Sequence, residues 1–211
     1  MPSTAAAPGA ELFLPADRSL GSLAAAAQHC RGCPLWARAT QAVFGEGPPG
    51  ATLVLVGEQP GDVEDESGRP FVGPAGALLD RCLEDAGIDR ETVYVTNAVK
   101  HFKWEPRGKR RIHSKPSRGE VRACAPWLDA ELEVVAPRGI VLLGATAAQA
   151  VLGPTFRVTA HHGERLATDR ATFAIATLHP SALLRAPDSE TRERQTADLV
   201  EDLRRAREWA T

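Results

Sequence analysis

The chain has 211 residues, of which 43% are hydrophobic and 25% are charged, and its formal net charge at pH 7 is -2. That length suits one α/β domain and is too short for two domains of ordinary size. No apolar run is long enough to span a bilayer, and residues 1–10 lack the basic and apolar regions of a signal peptide, so we expect a cytoplasmic protein. We predict a flexible leader over residues 1–18 and a single domain over residues 19–211.

Two of the four cysteines form a C-x-x-C motif near the N-terminus. Cys30 and Cys33 are separated by two residues, and Pro34 follows them. Disulfides are rare in a reducing compartment, and this spacing is typical of metal or cluster ligands. A redox-active dithiol is the rival interpretation, but a thioredoxin-like motif would follow a strand, and no strand precedes this one.

Four short apolar runs predict buried parallel strands, at residues 52–56, 93–96, 139–143 and 173–177. Helical patterns lie between and after them, at residues 75–86, 118–135, 145–152 and 189–209. Strands that alternate with helices predict an α/β fold with three αβα layers, in which helices cover both faces of a central four-stranded parallel sheet.

Polar residues follow the predicted strands. The segments after the four strands are GEQPG at 57–61, NAVKH at 97–101, GAT at 144–146 and LHPS at 178–181. Ligands of open parallel sheets bind beyond the carboxyl ends of the strands. Because residues of catalytic type stand at three of these four ends, the pattern predicts a functional site there.

A strongly cationic segment lies between the second and third predicted strands. It holds nine basic and two acidic residues, although the whole chain is slightly acidic. A local cluster of positive charge attracts polyanions, and phosphate contacts supply most non-specific affinity for nucleic acids. His113 ends the run KRRIH within this segment, so it is either a further DNA contact or a reactive group. The basic residues are Lys100, Lys103, Arg107, Lys109, Arg110, Arg111, Lys115, Arg118 and Arg122.

Taken together and in chain order, four motifs resemble those of the iron–sulfur uracil-DNA glycosylases. They are GEQPG at 57–61, GRPFVGPAG at 68–76, TNAVK at 96–100 and HPS at 179–181, and the resemblance extends over about residues 20–205. Gln59 and the segment 109–113 resemble the UdgX branch, close to the family 4 enzymes, whose members cross-link to uracil-containing DNA. The resemblance implies a uracil-DNA glycosylase-like fold, a hydrolase of DNA repair that acts as a monomer, and uracil-containing DNA as its partner.

The resemblance also implies how the base is bound. A glycosylase must take uracil out of the base stack and read its edge in a pocket. Asn97 would read the O4/N3 edge, Phe71 would stack on the ring, and His179 would donate a hydrogen bond to O2 of the departing uracil anion. Structural alternatives are a turn for Asn97 and His179 and core packing for Phe71. Further contacts with uracil or DNA are implied for Gln59, Gly61, Lys109, Arg110, Arg111 and Ser181.

His113 would then replace water as the nucleophile. A neutral imidazole is required, and the cationic neighbours disfavour its protonation. His113 would bond to C1′ and leave a covalent, single-turnover adduct. Glu58 would orient the ring or stabilise the sugar cation, and Arg111 would hold the Glu58 carboxylate.

Two other functions stay open at this point. His113 as a phosphate contact in a mobile loop would leave a conventional, multiple-turnover uracil-DNA glycosylase. A non-catalytic, metal-stabilised DNA-binding module would use the basic segment and the cysteines, but it gives no reason for Glu58, Asn97 and His179. A nucleotide-binding Rossmann enzyme is disfavoured, because no G-x-G-x-x-G motif follows the first strand.

The resemblance implies a [4Fe–4S] cluster, but one ligand departs from the family pattern. The family has a cysteine directly after the Asn-x-x-Lys segment, where this chain has His101, whereas Cys124 matches the last ligand. Either His101 joins Cys30, Cys33 and Cys124, or Cys82 is the fourth ligand. We favour His101, because Cys82 lies among leucines on an apolar helix face. The same four ligands suit zinc by spacing alone, and the predicted role of the cluster is structural.

Overall fold

The computed structural model describes residues 8–211, which contain six strands and seven α-helices. The strands are β1 (Leu53–Gly57), β2 (Tyr94–Asn97), β3 (Trp104–Arg107), β4 (Arg110–His113), β5 (Gly139–Leu143) and β6 (Phe173–Thr177). The helices are α1 (Leu20–Ala27), α2 (Asp62–Ser67), α3 (Pro74–Asp85), α4 (Arg118–Val135), α5 (Ala145–Leu152), α6 (Pro180–Leu183) and α7 (Ser189–Ala210).

The main sheet has the strand order β2-β1-β5-β6, and all three of its pairings are parallel. Gly57 lies opposite Asn97, and Leu143 lies opposite Thr177, so the carboxyl ends of neighbouring strands are level. The four predicted strands are confirmed to within one residue, as are the four predicted helices. The predicted three-layer fold is therefore confirmed.

Alternate strand residues face two separate hydrophobic cores. Leu55, Val95 and Val141 face a core formed with α3, α6 and α7. Val54 and Leu142 face a second core, formed with α4 and α5. Burial on both faces explains why the strands are continuous apolar runs rather than alternating ones.

The cationic segment forms a hairpin, where the sequence predicted a loop. β3 and β4 pair antiparallel, with Trp104 opposite His113 and Arg107 opposite Arg110. Gly108 has φ +62° in the connecting turn, a conformation that two-residue hairpin turns favour at their first position. The two strands are mostly polar, so no apolar alternation marked them in the sequence. The hairpin forms a sheet of its own and does not extend the main sheet.

Part of the predicted leader packs against the C-x-x-C segment. Residues 1–7 lie outside the described residues. Ala10 is buried, and the Gly9 N–H donates to the Gly32 carbonyl at 3.0 Å. A Cβ on Gly32 would lie 2.6 Å from the Gly9 carbonyl carbon, so this approach requires glycine. The packed part of the chain therefore begins before residue 18, where the predicted leader ends. The short segment around Ala10 covers one side of the hydrophobic cluster that contains the cysteines. Over residues 8–211, no helix combines the length and the apolar character that a membrane span requires.

A buried carboxylate fixes β2 from its first residue to the segment that follows it. Glu131 of α4 accepts hydrogen bonds from the Tyr94 hydroxyl and the Thr96 hydroxyl, both at 2.9 Å. Lys100 forms a buried ion pair with Glu131 and donates from Nζ to the Asn97 carbonyl at 2.7 Å. Lys100 is thus part of the core, and its predicted contribution to the cationic surface is wrong.

Replacing Lys100 with Met should destabilise the fold strongly. The change leaves the Glu131 carboxylate unpaired in the core, and breaking a buried pair in this way costs about 3–5 kcal/mol. The loss is measured as the free energy of unfolding in urea. The double variant Lys100→Met/Glu131→Gln removes the uncompensated charge and should recover part of the loss. A single variant as stable as the double one would contradict this account.

Candidate active site

A cavity of about 410 Å³ lies at the carboxyl edge of the main sheet. All four strand ends and the hairpin contribute to its lining. Of the predicted site residues, the cavity brings together Glu58, Gln59, Gly61, Phe71, Asn97, His113, His179 and Ser181, whereas Lys109, Arg110 and Arg111 do not line it.

Phe71 and Asn97 approach each other where Gly57 has no side chain. A Cβ on Gly57 would lie 2.4 Å from Asn97 Oδ1 and 2.7 Å from Phe71 Cζ. Phe71 adopts φ +56°, a left-handed conformation that is unfavourable for an aromatic residue and that clusters at functional sites. Asn97 is buried, and its side-chain amide bonds to no other group within residues 8–211. The amide is therefore available to a ligand and does not cap a turn.

His179 presents one ring nitrogen to the cavity as a donor. Its Nδ1 accepts a hydrogen bond from the Ser181 N–H at 3.1 Å, so the neutral ring carries its proton on Nε2. Burial lowers the pKa of His179 to about 4, against the opposing attraction of Glu58. The imidazole is consequently neutral at physiological pH.

His113 and Glu58 form a pair at the mouth of the cavity. His113 Nε2 lies 3.3 Å from Glu58 Oε1, and Thr146 donates to Glu58 Oε2. Burial raises the pKa of Glu58, but the hydrogen bonds from His113 and Thr146 outweigh it, so the pKa is below its usual value. The site therefore holds an ionised carboxylate beside an accessible imidazole. Thr146 was not among the predicted site residues, although it belongs to the segment that follows the third predicted strand.

Gln59 fastens the hairpin to the sheet. Its Nε2 donates to the carbonyls of Lys103 (3.1 Å) and Ser114 (3.2 Å), and its Oε1 accepts from the Lys103 N–H at 3.1 Å. These three bonds hold the two residues that flank the hairpin at its open end, one before β3 and one after β4. Since both amide hydrogens are used, Gln59 has no donor left for the predicted contact with uracil or DNA.

Arg111 joins the other end of the hairpin to α2. Its guanidinium pairs with Asp62 (2.5 Å), Asp65 (2.6 Å) and Glu66 (3.2 Å). The prediction that Arg111 holds Glu58 is therefore wrong. Three carboxylates also satisfy the guanidinium, so Arg111 does not present it to a phosphate as predicted.

The remaining positive charge is concentrated around the hairpin. Lys103 pairs with Glu120 at 2.9 Å, whereas six of the nine basic residues have no carboxylate partner in the part of the chain that the structure describes. Lys115 lines the cavity. The six residues are Arg107, Lys109, Arg110, Lys115, Arg118 and Arg122.

Three of the candidate cluster ligands meet in one buried region. Cys30, Cys33 and Cys124 belong to the same hydrophobic cluster beside α1 and α4. His101 is buried and lines one cavity together with Cys30. Cys82 packs in the core formed with α3, α6 and α7, apart from the other cysteines. The structure therefore favours His101 over Cys82 as the fourth member of this group.

The chemistry of this group suits a cluster. Burial raises the pKa of the Cys33 thiol, and it raises the pKa of the Cys124 thiol to about 12, so thiolates form here only beside a strong positive charge such as iron. The Lys100 N–H lies 3.3 Å from Cys124 Sγ, and Trp127 Nε1 lies 3.2 Å from Cys30 Sγ. Hydrogen bonds to the sulfurs are a usual feature of iron–sulfur sites.

The spacing of the donors does not suit a single ion. Within residues 8–211, no three His, Cys, Asp or Glu side chains are arranged to hold one metal ion. Zinc needs four ligands at about 2.0–2.3 Å from one centre. A [4Fe–4S] cluster takes one ligand at each iron, and its ligands stand farther apart. As they stand, these side chains therefore do not form a zinc site.

The histidine pKa shift makes a direct prediction. The unfolded chain should bind a proton at His179 near pH 6.5, which the folded protein binds only near pH 4. The contribution of this group to stability is therefore complete above pH 6.5 and is lost as the pH falls toward 4. Histidine-ring NMR at pH 5.5 should show His179 neutral with its proton on Nε2, and protonated in concentrated urea. An imidazolium signal from His179 in the folded protein at pH 5.5 would contradict this.

Comparison with known proteins agrees with this site. The sequence profile described as the Uracil DNA glycosylase superfamily matches residues 44–204. The chain is 39% identical to a type-4 uracil-DNA glycosylase of Thermotoga maritima, over 85% of this chain and 88% of that protein. It is 35% identical to a type-4 enzyme of Sulfurisphaera tokodaii over 86% and 80%, and 33% identical to a type-5 enzyme of Thermus thermophilus over 83% and 84%. With this fold and this match over most of its length, the chain belongs to the uracil-DNA glycosylase superfamily.

Proposed function

We propose that this protein is a UdgX-type uracil-DNA glycosylase of DNA repair, which excises uracil and stays covalently bonded through His113 to C1′ of the abasic deoxyribose. One observation carries the proposal: the cavity that contains Asn97, Phe71 and His179 also has the His113–Glu58 pair at its mouth. The names of the type-4 and type-5 relatives support uracil in DNA as the substrate.

The buried end of the cavity suits a flipped uracil. Uracil presents an acceptor at O4 and a donor at N3, and the unbonded Asn97 amide offers the complementary donor and acceptor. Phe71 provides an aromatic face, and stacking of this kind is worth about 1–3 kcal/mol per base. The Phe71 ring lies 6.3 Å from the His179 ring, nearly parallel to it, so one base reaches both groups.

Two groups stabilise the cleavage of the glycosidic bond. The electron pair of the C1′–N1 bond leaves with uracil, and His179 Nε2–H donates to the O2 of the resulting anion. A preorganised donor of this kind is worth about 3–4 kcal/mol. The ionised Glu58 carboxylate stabilises the positive charge that develops on the sugar.

His113 then captures the sugar cation. One ring nitrogen of His113 carries the proton that is shared with Glu58. The other ring nitrogen supplies its lone pair to C1′. The alkylated ring is then an imidazolium whose remaining N–H pairs with the ionised Glu58 carboxylate, and its positive charge balances that of the uracil anion that leaves. No water adds to C1′, and the protein acts once.

The hairpin also brings the DNA to the pocket. Its basic residues without a carboxylate partner, with Lys115 beside them, offer cations to the phosphates on either side of the flipped nucleotide. Phosphate contacts position the DNA without reading its sequence. Affinity for DNA should therefore fall as the salt concentration rises.

A conventional, multiple-turnover glycosylase is the second candidate. The imidazole of His113 is 49% exposed, which also suits a contact with a DNA phosphate. In that case water would attack C1′ and free abasic DNA would be released.

Replacing His113 with Ser should abolish the adduct, because a serine hydroxyl is a much weaker nucleophile than a neutral imidazole, and should let water complete uracil release. Wild-type protein incubated with uracil DNA should give a slowly migrating band on a denaturing gel. His161→Ser is a matched control, since that imidazole is equally exposed, at 49%, and also pairs with a glutamate. The control should cross-link like the wild type.

Two outcomes would contradict the nucleophile assignment. His113→Ser could still cross-link, which would mean that another residue bonds to C1′. Alternatively, the wild type could give only alkali-sensitive abasic sites and no shifted band, which would favour the second candidate.

Cys30, Cys33, His101 and Cys124 are the side chains that would hold a [4Fe–4S] cluster. Its role would be structural, joining the N-terminal segment to the start of β3 and to α4. The buried sulfurs and the two N–H groups directed at them support this assignment. Imidazole ligation raises the reduction potential of a cluster above that of all-thiolate sites.

Replacing Cys124 with Ser should therefore remove iron and sulfide from the purified protein and lower its melting temperature. Cys82→Ser is the matched control, because it removes an equally buried thiol outside the proposed ligand group. Iron content and absorbance near 400 nm report the result. Full iron content in Cys124→Ser, or loss of iron in Cys82→Ser, would refute the proposed ligand set.

A further inference from the structure

The Thr146 hydroxyl lines the cavity but takes no part in the steps of the proposed reaction. Thr146 is buried, and its Oγ1 donates to Glu58 Oε2, while Oε1 of the same carboxylate lies 3.3 Å from His113 Nε2. We propose that Thr146 is a positioning residue that fixes the Glu58 carboxylate in the orientation and ionisation state needed by His113, an inference that rests on the proposed function.

Thr146 is well placed to act as a fixed support. It is the second residue of α5, which begins directly after β5. The connecting Gly144 donates from its N–H to the Thr177 carbonyl at 2.9 Å and accepts at its own carbonyl from the Ala148 N–H at 3.1 Å. The hydroxyl is thus held by the backbone of the main sheet and its helix. His113, in contrast, lies on a hairpin that side chains attach to the sheet.

A single donor on one oxygen determines what the other oxygen does. A glutamate carboxylate rotates about its last torsion, so either oxygen can face a neighbour unless one is bound. With Oε2 bound to Thr146, Oε1 is left to face His113. A donor hydrogen bond also favours the ionised form of the carboxylate, which is the form that stabilises a sugar cation and accepts a hydrogen bond from the imidazole.

No other group in the described part of the chain duplicates this contact. Only His113 and Thr146 are hydrogen-bonded to the Glu58 carboxylate. The charged and titratable groups that face the same cavity are His113 and Lys115 from the hairpin and its exit, His179 and Arg185 from the segment after β6, and Asp62 and Glu64 from α2. The imidazoles and cations in this set counter the negative charge of the two acids. None of these groups supplies a second hydroxyl donor to Glu58.

The test compares two substitutions at one position. Thr146→Val keeps the shape of the side chain and removes the hydroxyl, whereas Thr146→Ser keeps the hydroxyl and removes a methyl group. The Glu58 carboxyl carbon is followed by NMR through a pH titration, with Glu58→Gln for assignment. The rate of adduct formation on uracil DNA is measured in parallel, and circular dichroism checks that each variant is folded.

Thr146→Val should raise the pKa of Glu58 by about one unit and slow adduct formation about tenfold, the size expected for losing one hydrogen bond to a charged group. Thr146→Ser should restore both values. An unchanged Glu58 titration in folded Thr146→Val, or a Thr146→Ser protein as impaired as Thr146→Val, would overturn the inference alone. A wild-type protein that forms no adduct would instead overturn the proposed function. The Glu58 titration would still test the inference in that case, because it is measured without DNA.

Discussion

The attachment of a two-stranded hairpin to the edge of a parallel sheet is the constraint on which this site depends. β3 and β4 do not join the main sheet, so no backbone ladder positions His113. Gln59 bonds the two residues that flank the hairpin at its open end, and Arg111 anchors it to the carboxylates of α2. The rings of Phe102 and Trp104 lie 5.6 and 5.7 Å from the Arg111 guanidinium carbon and complete the contact. The position of the His113 imidazole therefore depends on a few side-chain contacts.

The functional groups of the site belong to two parts of the structure, the rigid sheet and the attached hairpin. Asn97 is the last residue of β2 and His179 lies two residues after β6, and the buried Glu131 fixes the strand that ends at Asn97. These groups would bind the base and stabilise its departure. The hairpin contributes His113, the group that would decide whether the sugar bonds to protein or to water. Glu58 connects the two parts, since it belongs to the sheet edge and bonds the imidazole.

The sheet and helices were predictable because strands buried on both faces produce continuous apolar runs. The site at the strand ends followed from the same topology. The partners of charged residues were not predictable, since they depend on how distant segments meet. Lys100 lies in a cationic segment of the sequence but pairs with Glu131, 31 residues away, in the core. Arg111 likewise binds α2 and not Glu58, and the polar hairpin gave no periodic signal.

The central claim is that the sugar carbon becomes bonded to His113, and peptide mapping tests it most directly. The product formed on uracil DNA would be digested with nuclease and protease, and tandem mass spectrometry would locate the residue that carries the deoxyribose. We expect the added mass on His113. Deoxyribose attached to Lys115, which lines the same cavity and would form an imine that borohydride traps, would contradict it.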